Sequence, residues 1–463
     1  MARKEKALGI FSLAMITAGS VDSIRNLPAT ALFGTHLIFF FLLGALFFLL
    51  PTALVAAELA STSPRDGGIF AWVTDAMGLK AGYLAIWFQW IENVIWYPAI
   101  LSTLAATIGY LFSKTLATNP YFLIAVILIS FWSVTLINMT GMRASAWVAN
   151  ICSVFGLLLP MALIIGLALY WVLTGHVSDI QITSHNWIPH DWSHVGIWVA
   201  LTGIMLSFCG MEIATVHSYE TRDPQRSYPR AMLLATVIIL FTLVSGSLAI
   251  AVVLPSGEIS LVAGIMQAFD AFFSAYHLSY ILPAVAVMLV LGLIGSVNNW
   301  AIAPTRGLAY AMKEIGSLGH FEKLNKQGSP TKLLLAQAVI VTIISLLYLM
   351  LPSVNAVYWL FTALASQIYM LMYIMMFVTA IVLRKKKVDR KIGFRIPGGM
   401  TGLSIVAVFG LIGSVFTLFI GFFPPSDVGI TSPLRYEILI WLGLGLMVIV
   451  PWIWVAKKKL KKT

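Results

Sequence analysis

Four ionisable side chains sit in apolar surroundings that give them no obvious solvent: Asp22, Arg25, Glu92 and Glu212. Asp22 and Arg25 fall between the apolar runs 8–16 and 27–33, within Ile16-Thr17-Ala18-Gly19-Ser20-Val21-Asp22-Ser23-Ile24-Arg25-Asn26-Leu27-Pro28. Insertion scales put a charge at mid-bilayer at a cost of roughly 2.5–3.5 kcal/mol. Gly19, two serines and Pro28 weaken a helix in the same stretch. At membrane depth, backbone leaves helical geometry only where it is buried in protein or lines a wet cavity. A broken helix carrying charge is therefore a candidate binding site, with Ala18, Gly19, Ser20, Asp22, Ser23 and Arg25 as candidate substrate contacts. The competing reading is an Asp22–Arg25 pair, three residues apart on one helix, that only neutralises itself.

A second apolar window, 194–219, is interrupted in the same way by Ser207-Phe208-Cys209-Gly210-Met211-Glu212. Exposed half-helix amides suit a carboxylate and exposed carbonyls suit an ammonium, so paired breaks suit a zwitterionic amino acid. Ser207, Phe208 and Cys209 join the candidate contacts, Phe208 as an aromatic lid one turn before Glu212. Glu212 has no basic neighbour on its own helix closer than His217, which makes it the candidate proton-sensing group.

The elements that must hold these residues are membrane helices. The chain has 463 residues, 60% hydrophobic and 10% charged, with a mean hydropathy of +0.92, a balance that excludes a soluble domain. Apolar windows long enough to span fall at about 8–34, 37–60, 81–112, 121–139, 145–173, 194–219, 229–254, 280–308, 333–351, 355–383, 401–423 and 434–456. The expected fold is an all-α polytopic membrane protein with twelve transmembrane helices. Twelve spans put both termini on one side. Of the 29 lysines and arginines, 26 lie at the ends or in the loops of that side, and only Lys114 and Arg435 lie opposite. By the positive-inside rule that side is cytoplasmic. The net charge of +11 thus belongs to helix ends and does not imply a nucleic acid partner. The runs Arg384–Lys387 and Lys457–Lys462 suit anionic membrane lipid and stop-transfer flanks.

Windows one and six open two five-helix blocks, 8–173 and 194–383. Five is odd, so the second block enters from the opposite side, and interruptions at matching places of inverted repeats point to a transporter's midplane site. This gives a 5+5 inverted-repeat core over 1–383, with broken helices 1 and 6, and a C-terminal part over 384–463 with two extra helices. Segment 256–275 reads as an outer amphipathic helix at the membrane interface. His176, His185, His190 and His194 lack a compact ligand spacing and read as solvated loop residues, so no metal and no cofactor is expected. Cys152 and Cys209 read as packing residues. The basic N-terminus and its apolar run lack a cleavage-like site and read as retained. No nucleophile elbow, phosphate loop or zinc motif appears, so the chain does not read as an enzyme.

Several stretches carry a resemblance. Gly210-Met211-Glu212 with Glu220-Thr221-Arg222-Asp223-Pro224-Gln225-Arg226-Ser227-Tyr228-Pro229-Arg230, Ala57-Glu58-Leu59-Ala60 with Gly67-Gly68-Ile69-Phe70-Ala71-Trp72-Val73, and Trp300 with Pro304-Thr305-Arg306-Gly307 resemble the amino acid–polyamine–organocation transporters. Phe394-Arg395-Ile396-Pro397-Gly398-Gly399 and Phe422-Phe423-Pro424-Pro425 are most similar to bacterial glutamate/γ-aminobutyrate antiporters. The resemblance implies a LeuT-like fold and sodium-independent exchange of amino acids or their decarboxylation products across the inner or plasma membrane. It implies a monomer or homodimer whose partners are a small amino acid and lipid. It also implies that Glu212 senses protons, that Trp300 lies against the substrate, and that Asn93, in Trp90-Ile91-Glu92-Asn93, contacts it. Ordinary helix packing is the alternative for Asn93, Phe208 and Trp300.

Three departures matter. Val21-Asp22-Ser23 stands where many relatives have a Gly-Ser-Gly-like break, placing an acid where a substrate anion would sit. Asn150 stands where proton-coupled relatives often have a lysine. The sequence stops at Thr463, shortly past the last span, so gating by a long C-terminal plug is not expected. The acids near the site favour the alternative of a cationic substrate such as arginine, ornithine or agmatine. An ion channel and a transport-dead sensor are the remaining rivals.

Overall fold

The computed structural model describes residues 9–62, 67–140, 154–180, 187–189, 195–213, 223–316, 321–351, 353–386, 393–425, 430 and 432–457. Among these residues the regular structure is all helical, with no strand. In order, the helices are α1 (Ile10–Val21), α2 (Leu27–Ala31), α3 (Gly34–Thr62), α4 (Gly68–Met77), α5 (Leu79–Tyr110), α6 (Pro120–Met139), α7 (Phe155–Leu173), α8 (Val195–Trp198), α9 (Ala200–Ser207), α10 (Pro224–Val253), α11 (Gly264–Ala275), α12 (Ser279–Ile315), α13 (Thr331–Met350), α14 (Val354–Lys385), α15 (Gly399–Ile420) and α16 (Pro433–Lys457). Ten of them, α3, α5, α6, α7, α10 and α12 to α16, are long and apolar enough to cross a bilayer. The two hydropathy windows missing from that set are the two with interruptions, 8–34 and 194–219, whose described residues include the short pairs α1/α2 and α8/α9.

The first interruption has a local cause. Pro28 has no N–H to donate to the Ile24 carbonyl, and its ring crowds that oxygen. Residues 24–26 form one tight 3-10 turn, and Asp22 (ψ 134°) and Ser23 (ψ 117°) are extended. The second turns on Gly210. The N–H groups of Phe208 and Cys209 fall back to Met205 and Leu206 carbonyls, both at 3.2 Å. Gly210 then enters the left-handed region at φ +110°, where a side chain would be strained.

α5 forms the centre of the bundle, with 94% of its most apolar window buried, against 17% for the peripheral α16. α7 and α12 meet backbone to backbone: a Cβ on Gly156 would lie 2.0 Å from the Gly292 nitrogen, a closeness that only small residues permit. On the side with the basic loops, the segment after α14 folds back onto the end of α3. Glu58 takes the Nε of Arg384 at 2.9 Å, its Nη2, and the Ile396 N–H at 2.9 Å.

The expected outer amphipathic helix exists as α11, but its apolar face does not lie free at an interface. Ile265, Met266, Phe269, Phe272 and Phe273 are buried in protein, and Gly264 abuts Pro28 of α2. Asp270 pins the helix by accepting from Tyr110 Oη at 2.9 Å and pairing with Lys114 at 3.5 Å. His176 stacks on Trp171 with ring centres 4.4 Å apart. His185, His190, His194, Cys152 and Asn150 lie outside the described residues.

Candidate functional site

The two interruptions meet in space. A Cβ on Gly210 would lie 3.4 Å from the Ser20 carbonyl oxygen and 3.2 Å from Trp300 Cζ2, so the glycine lets the second break rest on the first and on an indole. A chamber of about 40 Å³ lies at this junction. Of the residues expected to contact substrate, it gathers Ser20, Asp22, Ser23, Arg25, Asn93, Cys209 and Trp300. The other four do not line it. Ala18 is buried and its carbonyl accepts the Asp22 N–H at 2.7 Å, and Gly19 lies beside it on α1. The Ser207 hydroxyl donates to the Ile204 carbonyl at 2.6 Å. Phe208 packs edge-on against Phe41, ring centres 5.7 Å apart, rather than over the chamber.

Asp22 and Arg25 do not form the pair that their spacing suggests. The ion pairs among the described residues are Lys114–Asp270, Arg226–Asp223 and Arg384–Glu58. An i, i+3 pair needs a continuous helix, and the extended Asp22 and Ser23 break that register. The fully buried Arg25 guanidinium instead lies 5.3 Å from the Trp96 ring centre and 5.5 Å from that of Tyr358. Its Nη1 donates to Tyr358 Oη at 3.1 Å, and that hydroxyl donates to the Arg25 carbonyl.

Glu212 is held by donors from two other helices. Tyr373 Oη donates to Oε2 at 2.5 Å, while Tyr369 Oη and Gln89 Nε2 donate to Oε1 at 2.7 and 2.9 Å. Tyr373 Oη in turn accepts the Gly210 N–H at 2.7 Å, tying the cluster to the break. Asn93 Nδ2 donates to the Gln89 carbonyl at 2.8 Å and to Glu92 Oε2 at 2.9 Å, which leaves its carbonyl oxygen for any ligand.

Two larger cavities flank the chamber. One of about 890 Å³ has Gln89 and Glu212 in its wall and Arg306, Lys313, Glu322 and Lys323 from the basic end of the bundle. The other, about 420 Å³, is lined by Thr118, Glu258, Ser260, Tyr348 and Asn355 from connections at the opposite ends of the helices. Small-molecule pockets run to several hundred Å³, whereas about 40 Å³ accommodates only a few waters. The chamber is therefore closed to an amino acid in this conformation.

Gln89, Trp96, Tyr358, Tyr369 and Tyr373 are site residues that the sequence reading missed. Gln89, Trp96 and the acid Glu92 lie within one turn of Asn93, and Tyr369 and Tyr373 are spaced i, i+4, so a search at helical spacing around Asn93 and along α14 would have raised them. Nothing in α14 itself says that its tyrosines face Glu212.

The sequence matches the amino acid permease family over residues 8–444. It is 39% identical to an uncharacterized transporter of Legionella pneumophila, over 99% of this chain and 98% of that one. It is 30% identical to a glutamate/gamma-aminobutyrate antiporter of Lactococcus lactis, over 97% and 90% of the two chains. A probable agmatine/putrescine antiporter of Lactococcus lactis is 22% identical over 96% and 95%.

Proposed function

The chain belongs to the amino acid permease family, and on that premise we propose that it is a sodium-independent amino acid antiporter of the inner or plasma membrane. Its exchange is of glutamate for γ-aminobutyrate or a related product, by alternating access. The observation that carries this reading is the meeting of two interrupted helices around a small chamber lined by charged and polar side chains, flanked by larger cavities at opposite ends. A channel would need a continuous wet path, and here the Glu212 cluster, with Glu212 and Gln89 in the wall of one cavity and Tyr369 in that of the chamber, lies between the two. The pair of substrates is suggested by the antiporter relative of Lactococcus lactis.

In this reading the interrupted segments also cross the membrane, giving twelve spans, a 5+5 inverted-repeat core of LeuT-like type and two further helices. The excess of cations at one end makes that end, with both termini, cytoplasmic. The cavity of about 890 Å³ is then the cytoplasmic vestibule, Glu212 with Gln89, Tyr369 and Tyr373 is the seal at its inner end and the proton-sensing group, and Trp300 is a wall of the substrate chamber. In proteoliposomes, uptake of labelled γ-aminobutyrate should accelerate when glutamate is loaded inside. Uptake indifferent to internal amino acids would refute exchange.

Exchange of amines is the second reading. It is favoured by the acids Asp22 and Glu92 in the chamber wall and by the agmatine/putrescine relative. Faster uptake with agmatine, putrescine, arginine or ornithine inside, and not with glutamate, would select it.

A further inference from the structure

Arg25 is fully buried, lines the central chamber, and has no partner for Nε and Nη2 among the described residues. Asp22 lines the same chamber, is 7% exposed, and leaves Oδ1 equally without a partner. Buried charged groups left unsatisfied are strongly unfavourable, and these two, of opposite sign, would be expected to relieve one another. The extended backbone at Asp22 and Ser23 keeps them apart. The guanidinium carbon lies 5.3 and 5.5 Å from the Trp96 and Tyr358 ring centres, and Tyr358 uses Nη1 alone.

The edge left free is the one suited to a carboxylate. Nε and Nη2 point the same way from the guanidinium plane and can give two parallel hydrogen bonds to two oxygens. The protein uses this edge elsewhere: Arg384 grips both oxygens of Glu58 with its Nε and Nη2. At Arg25 the same fork is left without a partner among the described residues, on a residue that lines the chamber.

We propose that Arg25 is the carboxylate subsite and Asp22 the ammonium subsite of the carried molecule, which bridges two charges that the broken helix holds apart. The proposal rests on the amino acid exchange reading and deepens it. Recognition here is by side-chain charge rather than by exposed helix-end amides, and every exchanged species must carry a free carboxylate. Glutamate and γ-aminobutyrate share that group; putrescine and agmatine lack it. The acid at position 22, which would repel an anion at a helix break, instead faces the substrate's cationic end.

The test is displacement of labelled γ-aminobutyrate from the purified full-length protein. With the wild-type chain, γ-aminobutyrate and glutamate should compete, while γ-aminobutyrate methyl ester and putrescine should compete at least about 10-fold more weakly. Arg25→Gln should weaken γ-aminobutyrate binding roughly 10- to 100-fold, as loss of a charge-assisted pair of hydrogen bonds does. Arg25→Lys should recover part of that loss, and Asp22→Asn should weaken γ-aminobutyrate while leaving competition by butyrate unchanged. Equal competition by the ester or putrescine, or failure of the wild-type protein to bind either acid, would overturn the proposal. The ester comparison needs no variant to fold. Carboxylate-dependent binding without counterflow would refute exchange and leave the subsite standing.

Discussion

Glu212 meets donors on both of its oxygens, from Tyr369, Tyr373 and Gln89, and the ionised carboxylate is the form that only accepts. A proton on Glu212 turns one oxygen into a donor facing another donor, so one of these contacts must rearrange. The groups that rearrange close the wall between the large cavity and the chamber. Glu212→Gln, which always presents a donor, should therefore keep substrate binding but flatten the pH dependence of exchange. The check is the pH profile of counterflow in liposomes, and a wild-type profile in the variant would reduce Glu212 to a structural acceptor. Tyr373→Phe should disturb the same counterflow profile more strongly, because it removes the shortest contact to Glu212 and the link to the Gly210 N–H together. At this scale the sequence is informative about which groups matter and silent about their partners. Asp22, Arg25 and Glu212 stand out because charge is costly in an apolar run. The expected Asp22–Arg25 pair is absent because spacing predicts contact only along an unbroken helix.

Two elements meet through Glu58, at the end of α3, and Arg384, at the end of α14. Their side chains are 8% and 12% exposed, and the Ile396 N–H and Gly399 carbonyl complete the cluster. Removing one partner of such a pair leaves a largely buried charge unmatched, at a cost of about 3–5 kcal/mol. Glu58→Ala and Arg384→Ala should each lower the unfolding temperature of the purified protein, and the double variant should lose clearly less than the sum of the two single losses. Additive losses in a thermal-unfolding cycle would show that the pair contributes no coupling. A second element-scale expectation concerns α7 and α12. Gly292→Leu should abolish a monodisperse folded protein, whereas the same change at Gly445 of α16, where a Cβ would touch only Ile449 at 3.9 Å, should be tolerated on size-exclusion chromatography. The helix breaks are legible in sequence because glycine, proline and charge mark them. The approach of Gly156 to Gly292 is not, since small residues are frequent along these helices and only the packing selects this pair.

At the scale of the whole molecule, the ten continuous helices coincide with ten of the hydropathy windows, because length and apolarity are what a bilayer demands of an unbroken span. What hydropathy does not contain is how the two interrupted windows lie, since a broken segment can cross the membrane or dip into it and return. One pair of positions separates these cases. Val177 follows α7 and is 89% exposed, and Lys313 is exposed near the end of α12. Between them lie the interrupted segment containing α8 and α9, then α10, then α12. If the interrupted segment crosses, three crossings separate the two residues and they face opposite compartments. If only continuous helices cross, two crossings separate them and they face the same one. Cysteines placed singly at Val177 and Lys313 should therefore react with a membrane-impermeant maleimide from opposite sides, Val177→Cys in intact cells and Lys313→Cys only after the membrane is opened. The wild-type chain, whose Cys209 is buried, serves as the labelling background. Labelling of both variants from the same side would remove the interrupted segment from the set of spans, and with it the inverted repeat on which alternating access around the chamber depends.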